Sequence, residues 1–217
     1  MAILTTQENT ARQVAAMLLQ IGAIRLNTEK PFKWSSGWNS PIYCDNRLSL
    51  SFPEVRTYLK NALVETVQTH FSSVEAVAGV ATAGIPQGAL MADALGLPYL
   101  YVRDKPKAHG MTNMIEGKIT PGQKVVVVED LISTGGSSLR VVDALREVGF
   151  EVLGMVAIFT YGFEIAQQNF EQKNVSLYTL SNYNSMLIEA VKENYVAERE
   201  MASLYEWRKS PETWGVK

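Results

Sequence analysis

The chain has one cysteine, two histidines, almost no net charge and no long apolar run. With Cys44 alone no internal disulfide can form, which suits a reducing compartment. Cys44 has no cysteine partner and lies far along the chain from His70 and His109, so it is expected as a small, half-buried hydrophobe. No stretch approaches the roughly 18 uninterrupted apolar residues of a transmembrane helix. The opening MAILTTQENTARQ lacks the basic region and apolar run of a signal peptide, so a soluble, cytoplasmic protein is expected. Twenty basic and 22 acidic residues leave a formal charge of -2, which provides no general attraction to nucleic acid or to an anionic membrane. Any anion must therefore be bound locally. No GxxxxGK[ST] occurs, so a nucleoside triphosphate is not the implied ligand. Repeats, low-complexity tracts and interdomain linkers are also missing.

What is present is a globular composition, 47% hydrophobic and 19% charged over 217 residues, enough for one substantial core. A single domain over residues 1–217 is expected, with a helix and a small hood in about 1–50 and the core in about 51–217. The stretch VVVVEDLISTGGSS, Val125 to Ser138, organises the rest. Val125 to Val128 has the pattern of a strand buried on both faces, as in a parallel sheet. Glu129 and Asp130 then stand at its carboxyl end, where open α/β sheets bind ligands and where paired carboxylates can accept bonds from a diol or help hold a hydrated cation. Ser133 to Ser138 form a hydroxyl- and glycine-rich turn into a helix bearing Leu139, Val142, Leu145 and Val148. Such a turn directs backbone N–H groups and a helix dipole at an anion. Diol to the acids and phosphate to the loop suit a sugar phosphate.

Along the chain, Thr5 and Glu8 have capping-box spacing before an amphipathic helix carrying Val14, Met17, Leu18 and Ile21 and ending at Gly22. Ala23 to Leu26 can be a short strand. Phe32 to Arg47, FKWSSGWNSPIYCDNR, reads as a hairpin-like segment whose rings and serines suit a flat heterocycle, stacked on a face and bonded at its edge. Pro53 opens a second helix, with Val55, Tyr58, Leu59, Ala62 and Leu63 on one side. Val74 to Val80 is a buried strand running into Ala81 to Pro86, a second strand-to-helix turn able to meet an anion. A helix to Gly96, a strand from about Pro98 to Arg103, a strand at Glu151 to Thr160, a short helix from Gly162 to Phe170 and a strand at Val175 to Leu180 complete an alternation that indicates a doubly wound, mainly parallel sheet. Asn182 to Trp207 carries two helical stretches, expected as outer packing or subunit contact. Arg103, Lys105, Lys107 and His109 form the one cationic cluster, in a loop long enough for a lid at the ligand-binding end of the sheet.

Val125 to Ser138 resembles the 5-phosphoribosyl-1-pyrophosphate (PRPP) signature of the type I phosphoribosyltransferases. Together with Phe32 to Arg47 and the R-x-x-x-K-x-H-G of Arg103 to Gly110, it makes the chain similar to the orotate phosphoribosyltransferases nearly end to end. The resemblance implies the type I phosphoribosyltransferase fold and transfer of phosphoribosyl from PRPP to N1 of orotate with Mg2+. The products would be orotidine 5'-monophosphate and pyrophosphate, in pyrimidine biosynthesis. It implies that Arg103, Lys107 and His109 are catalytic and, with Lys105, contact pyrophosphate. Glu129 and Asp130 would hold the ribose hydroxyls, and Leu131, Ile132, Ser133, Thr134, Gly135, Gly136 and Ser137 would surround the 5'-phosphate. Ser133, with Phe32 and Tyr43, would contact orotate. No metal ligand is assigned to the protein itself, since PRPP brings most of the oxygens. A homodimer sharing the loop across its interface is implied, with no nucleic-acid or membrane partner.

The chain departs from the enterobacterial pattern at Ser35, Ala83 and Asp104, where that branch has lysines, and at Gly162, where it has an orotate-contacting arginine. Lys33 and Arg47 are then candidates for the base site, and Lys105 for the loop charge. Two rival readings are a purine phosphoribosyltransferase and a PRPP-sensing regulator. The Phe32 to Arg47 segment and the basic loop oppose the first, and the lack of a basic DNA-binding module opposes the second.

Overall fold

From Val125 to Val128 successive side chains enter two different cores, Val126 and Val128 on one side and Val125 and Val127 on the other. All four are fully buried, and each contributes on the order of 1.5–3 kcal/mol, which secures this run in the middle of the molecule. The computed structural model of the chain describes residues 3–34, 37–103 and 114–215. In chain order its elements are β1 (Ile3–Thr5), α1 (Glu8–Gln20), β2 (Ile24–Leu26), β3 (Phe32–Lys33), β4 (Asn39–Ser40), β5 (Ile42–Cys44), α2 (Pro53–His70), β6 (Ala76–Val80) and α3 (Gly84–Leu95). There follow β7 (Tyr99–Val102), β8 (Ile115–Glu116), β9 (Lys124–Ile132), α4 (Gly136–Glu147), β10 (Glu151–Thr160), α5 (Glu164–Gln172), β11 (Leu177–Asn182), α6 (Tyr183–Lys192) and α7 (Met201–Lys209).

Seven strands form the main sheet in the order β1-β11-β10-β9-β6-β7-β8, parallel except for β8, which runs antiparallel to β7. Helices α4 and α5 cover one face through Leu139, Val142, Leu145, Ala166 and Phe170. On the other face, α1, α2, α3, α6 and α7 pack through residues such as Leu18, Leu59, Met91, Met186 and Trp207. The doubly wound, mainly parallel sheet expected from the alternation of elements is the one observed.

The direction of winding reverses between β6 and β9. From β6 the chain proceeds outward to β7 and β8, then returns to place β9 on the opposite side of β6. Ligands in open α/β sheets bind at such a switch point, outside the carboxyl ends of the strands. Both anion-type turns, after β6 and after β9, leave the sheet there.

Three expectations differ from the structure. Thr5 does not cap α1: it lies in β1, paired with Thr179 of β11, and Gln7 precedes the helix without a side-chain cap. Backbone pairing along an edge strand outweighs a single capping bond. Strand β9 does not end at the acids Glu129 and Asp130, because β10 is long enough to pair with it as far as Ile132. The segment after Asn182 is not merely outer packing, since Tyr183 and Trp207 are fully buried in the larger core. Outside the main sheet stand two small antiparallel pairs, β2 with β5 and β3 with β4.

Candidate active site

Helix α4 begins at a glycine pair because its entry needs left-handed backbone. Gly135 has φ +79°, and a Cβ there would stand 2.6 Å from the Phe170 ring. No side chain caps this helix, so its first-turn amides remain available to an anion. Asn169 Nδ2 donates to the Thr134 carbonyl at 2.9 Å and ties the loop to α5. Helix α3 likewise starts uncapped at Ala83, and Gly84 lies so close to β9 that any side chain would strike the Val128 carbonyl.

Behind the loop the two acids occupy unequal environments. Glu129 is buried, and its carboxylate accepts the Ser138 hydroxyl at 2.8 Å and the Asp130 amide at 3.0 Å. Burial, then the neighbouring Asp130 charge, pushes the Glu129 carboxyl well above its usual range. Asp130 is half-buried, and burial raises its carboxyl as well. Asn46 Nδ2 donates to the Asp130 carbonyl at 2.8 Å, which links this corner to the segment after β5.

Arg103 follows β7 and lines a narrow niche with Ala81 from the first turn and Ser137 from the second. Its Nη1 is buried without a hydrogen-bond partner among the described residues, 3.6 Å from Glu116 Oε1. A guanidinium held between two anion turns, with a donor left over, is placed to meet a polyanion. Lys105, Lys107 and His109, expected on the same loop, lie outside the described residues, as do Asp104 and Ser35.

Beside the second turn opens a cavity of about 530 Å³. Trp34, Trp38, Tyr43 and Tyr161 supply its rings, Ser133 and Thr134 its hydroxyls, and Lys33 its cation, while Leu131 and Cys44 complete the lining. Cys44 donates its thiol to Asn46 Oδ1 at 3.3 Å, and burial pushes that thiol up, so it stays neutral. Of the residues expected at the heterocycle, Ser133 and Tyr43 face the cavity. Phe32 stands behind Tyr43, ring centroids 5.7 Å apart, with Arg25 over the Tyr43 ring at 4.8 Å. Arg47 is held by Asp45 through bonds of 2.6 and 2.9 Å.

Sequence reasoning passed over the aromatic support of this cavity. Trp34 lies 5.0 Å from Tyr161 and 5.6 Å from Trp207, and Trp207 in turn packs on Phe163 at 5.4 Å. The FTYGF run at the end of β10 was the available signal for Tyr161 and Phe163; nothing local marked Trp207, almost fifty residues further on.

The phosphoribosyl transferase domain family model matches residues 53–191. An orotate phosphoribosyltransferase of Cytophaga hutchinsonii is 61% identical over 206 residues, covering 95% of this chain and 99% of that protein. Among solved structures, the orotate phosphoribosyltransferase from Aeropyrum pernix has a TM-score of 0.74 at 30% identity, covering 85% of this chain and 99% of that one. Leishmania donovani UMP synthase shares the fold with a TM-score of 0.77 at 23% identity; the match covers 92% of this chain and 43% of that longer one. On the strength of the whole-length identity and the matched domain, the chain belongs to the orotate phosphoribosyltransferases, within the type I phosphoribosyltransferases.

Proposed function

We propose that the chain transfers the phosphoribosyl group of PRPP to N1 of orotate, giving orotidine 5'-monophosphate and pyrophosphate, as a pentosyltransferase of pyrimidine biosynthesis. The observation that carries this reading is the aromatic cavity opening directly beside an uncapped helix-entry loop: Ser133 and Thr134 belong to both. A flat base and a sugar phosphate held there meet at the anomeric carbon.

Departure of pyrophosphate leaves an oxocarbenium-like carbon and concentrates charge on the leaving group. In this reading Arg103, with Lys105, Lys107 and His109, meets that charge. His109 donates a proton to the departing oxygen. Asp130 accepts from the ribose hydroxyls, while Glu129 braces the loop through Ser138 and shares the same diol. The amides and hydroxyls of Leu131 to Ser137 hold the 5'-phosphate. Orotate is its own nucleophile, so no covalent intermediate on the protein is required.

Mg2+ fits this donor set as a passenger of the substrate. Asp130, half-buried near the end of the strand, matches a cation that takes most of its ligands from pyrophosphate and water. Asp130 would hold it, where it would offset leaving-group charge. No described helix is long and apolar enough to cross a membrane. We take a cytoplasmic homodimer with a shared catalytic loop as part of the same proposal.

The test is the fall in orotate absorbance when PRPP and Mg2+ are added to purified protein, beside Lys107→Ala. Consumption by the wild type and not by the variant is expected. Binding of PRPP by both with no orotate consumed would reject the assignment.

A further inference from the structure

A carboxylated pyrimidine brings a full negative charge into the aromatic cavity, and burying that charge without a counter-charge is costly. Among the described residues lining the cavity there is one cation, Lys33; the other polar groups are the Trp34 and Trp38 indoles, the Ser133, Thr134, Tyr43 and Tyr161 hydroxyls and the Cys44 thiol. The last two stay neutral, since burial raises both. Among the described residues no acid engages Lys33. The nearby arginines are committed elsewhere. Arg47 is clamped bidentate on Asp45, Arg25 covers the Tyr43 ring, and Arg208 lines a different cavity, donating to Asn184 Oδ1 at 2.9 Å.

The backbone under Lys33 is well secured. Lys33 pairs with Asn39 across β3 and β4, the Trp34 amide donates to the Trp38 carbonyl at 2.9 Å, and the Trp34 indole donates to the Ile42 carbonyl at 3.2 Å. Lys33 is therefore held at the rim of the cavity although its side chain is exposed. Gly162 lines the same separate cavity as Arg208, whose Nη1 would stand 4.0 Å from a Cβ there, so neither position places a cation in the aromatic cavity.

We propose that Lys33 pairs with the carboxylate of the pyrimidine and thereby sets the preference of this site for a carboxylated base over the bare one. The proposal rests on the cavity being the orotate site. Its test compares orotidine 5'-monophosphate with uridine 5'-monophosphate, which differ by that carboxylate alone, in titration calorimetry against the wild type, Lys33→Met and Lys33→Arg. Lys33→Met is expected to weaken orotidine 5'-monophosphate roughly tenfold, the size of one charge-assisted bond at a partly open site, while uridine 5'-monophosphate is unchanged. Lys33→Arg restores most of the loss. In turnover, Lys33→Met raises the KM for orotate and leaves that for PRPP unaltered. Equal weakening of both nucleotides, or of neither, overturns the role of Lys33. A wild type that neither prefers orotidine 5'-monophosphate nor consumes orotate overturns the underlying assignment, and that result is read without any variant.

Discussion

The indole nitrogen of Trp207 donates to the carbonyl oxygen of Asn39 at 3.2 Å, joining the last helix, α7, to the hairpin that carries one wall of the base cavity. Trp207 is fully buried and touches Trp34, Tyr161, Phe163 and Tyr183. Its ring therefore positions the cavity from behind without entering it.

Removing that support in Trp207→Ala is expected to cost about 3–5 kcal/mol of stability. Because Trp34 loses its edge-on neighbour, KM for orotate should rise more than KM for PRPP. Denaturant unfolding and steady-state kinetics at a temperature where the variant is folded check this, and an unchanged orotate KM would contradict it.

Gly135→Ala tests the anion loop. Left-handed backbone and the approach of Phe170 both disfavour a side chain, with a combined cost of roughly 1–3 kcal/mol. Shifted amides should also weaken PRPP, measured by titration, while the orotate cavity's outer wall is untouched.

For Glu129 the sign of the pH dependence follows from burial. Its folded pKa lies above the unfolded one, so its contribution to stability is fully present below the ordinary carboxylate pKa and is lost as pH rises through the raised value. Glu129→Gln should flatten that decline and make the protein more stable than wild type at neutral pH, yet weaken PRPP. A variant less stable at neutral pH, seen by thermal unfolding across a pH series, would show that the bonds to Ser138 and the Asp130 amide outweigh the buried charge.

Arg103→Lys keeps a charge in the niche between the two turns but loses the fork. A fall in kcat of roughly 10²-fold or more is expected, as for the loss of a preorganised donor at developing charge, with orotate binding retained.

Much of this was legible in the sequence for local reasons. The four valines, the acids after them and the Ser-Thr-Gly-Gly-Ser turn are contiguous, and strand, turn and helix entry follow from β-branching, positive φ at glycine and uncapped amides acting within a few residues. The alternation of strands and helices likewise prescribed a doubly wound sheet. Tertiary structure decided what depends on partners distant in sequence. Thr5 became a strand residue because β11 offered it a backbone ladder, and β9 ran on to Ile132 because β10 was long enough to pair with it. Glu129 was buried against Ser138, and Trp207 came to lie beneath Trp34, by packing across the fold. The sequence left both Lys33 and Arg47 as weaker candidates for the base site; only the folded chain separates them, since Asp45 takes the Arg47 guanidinium while Lys33 lines the cavity.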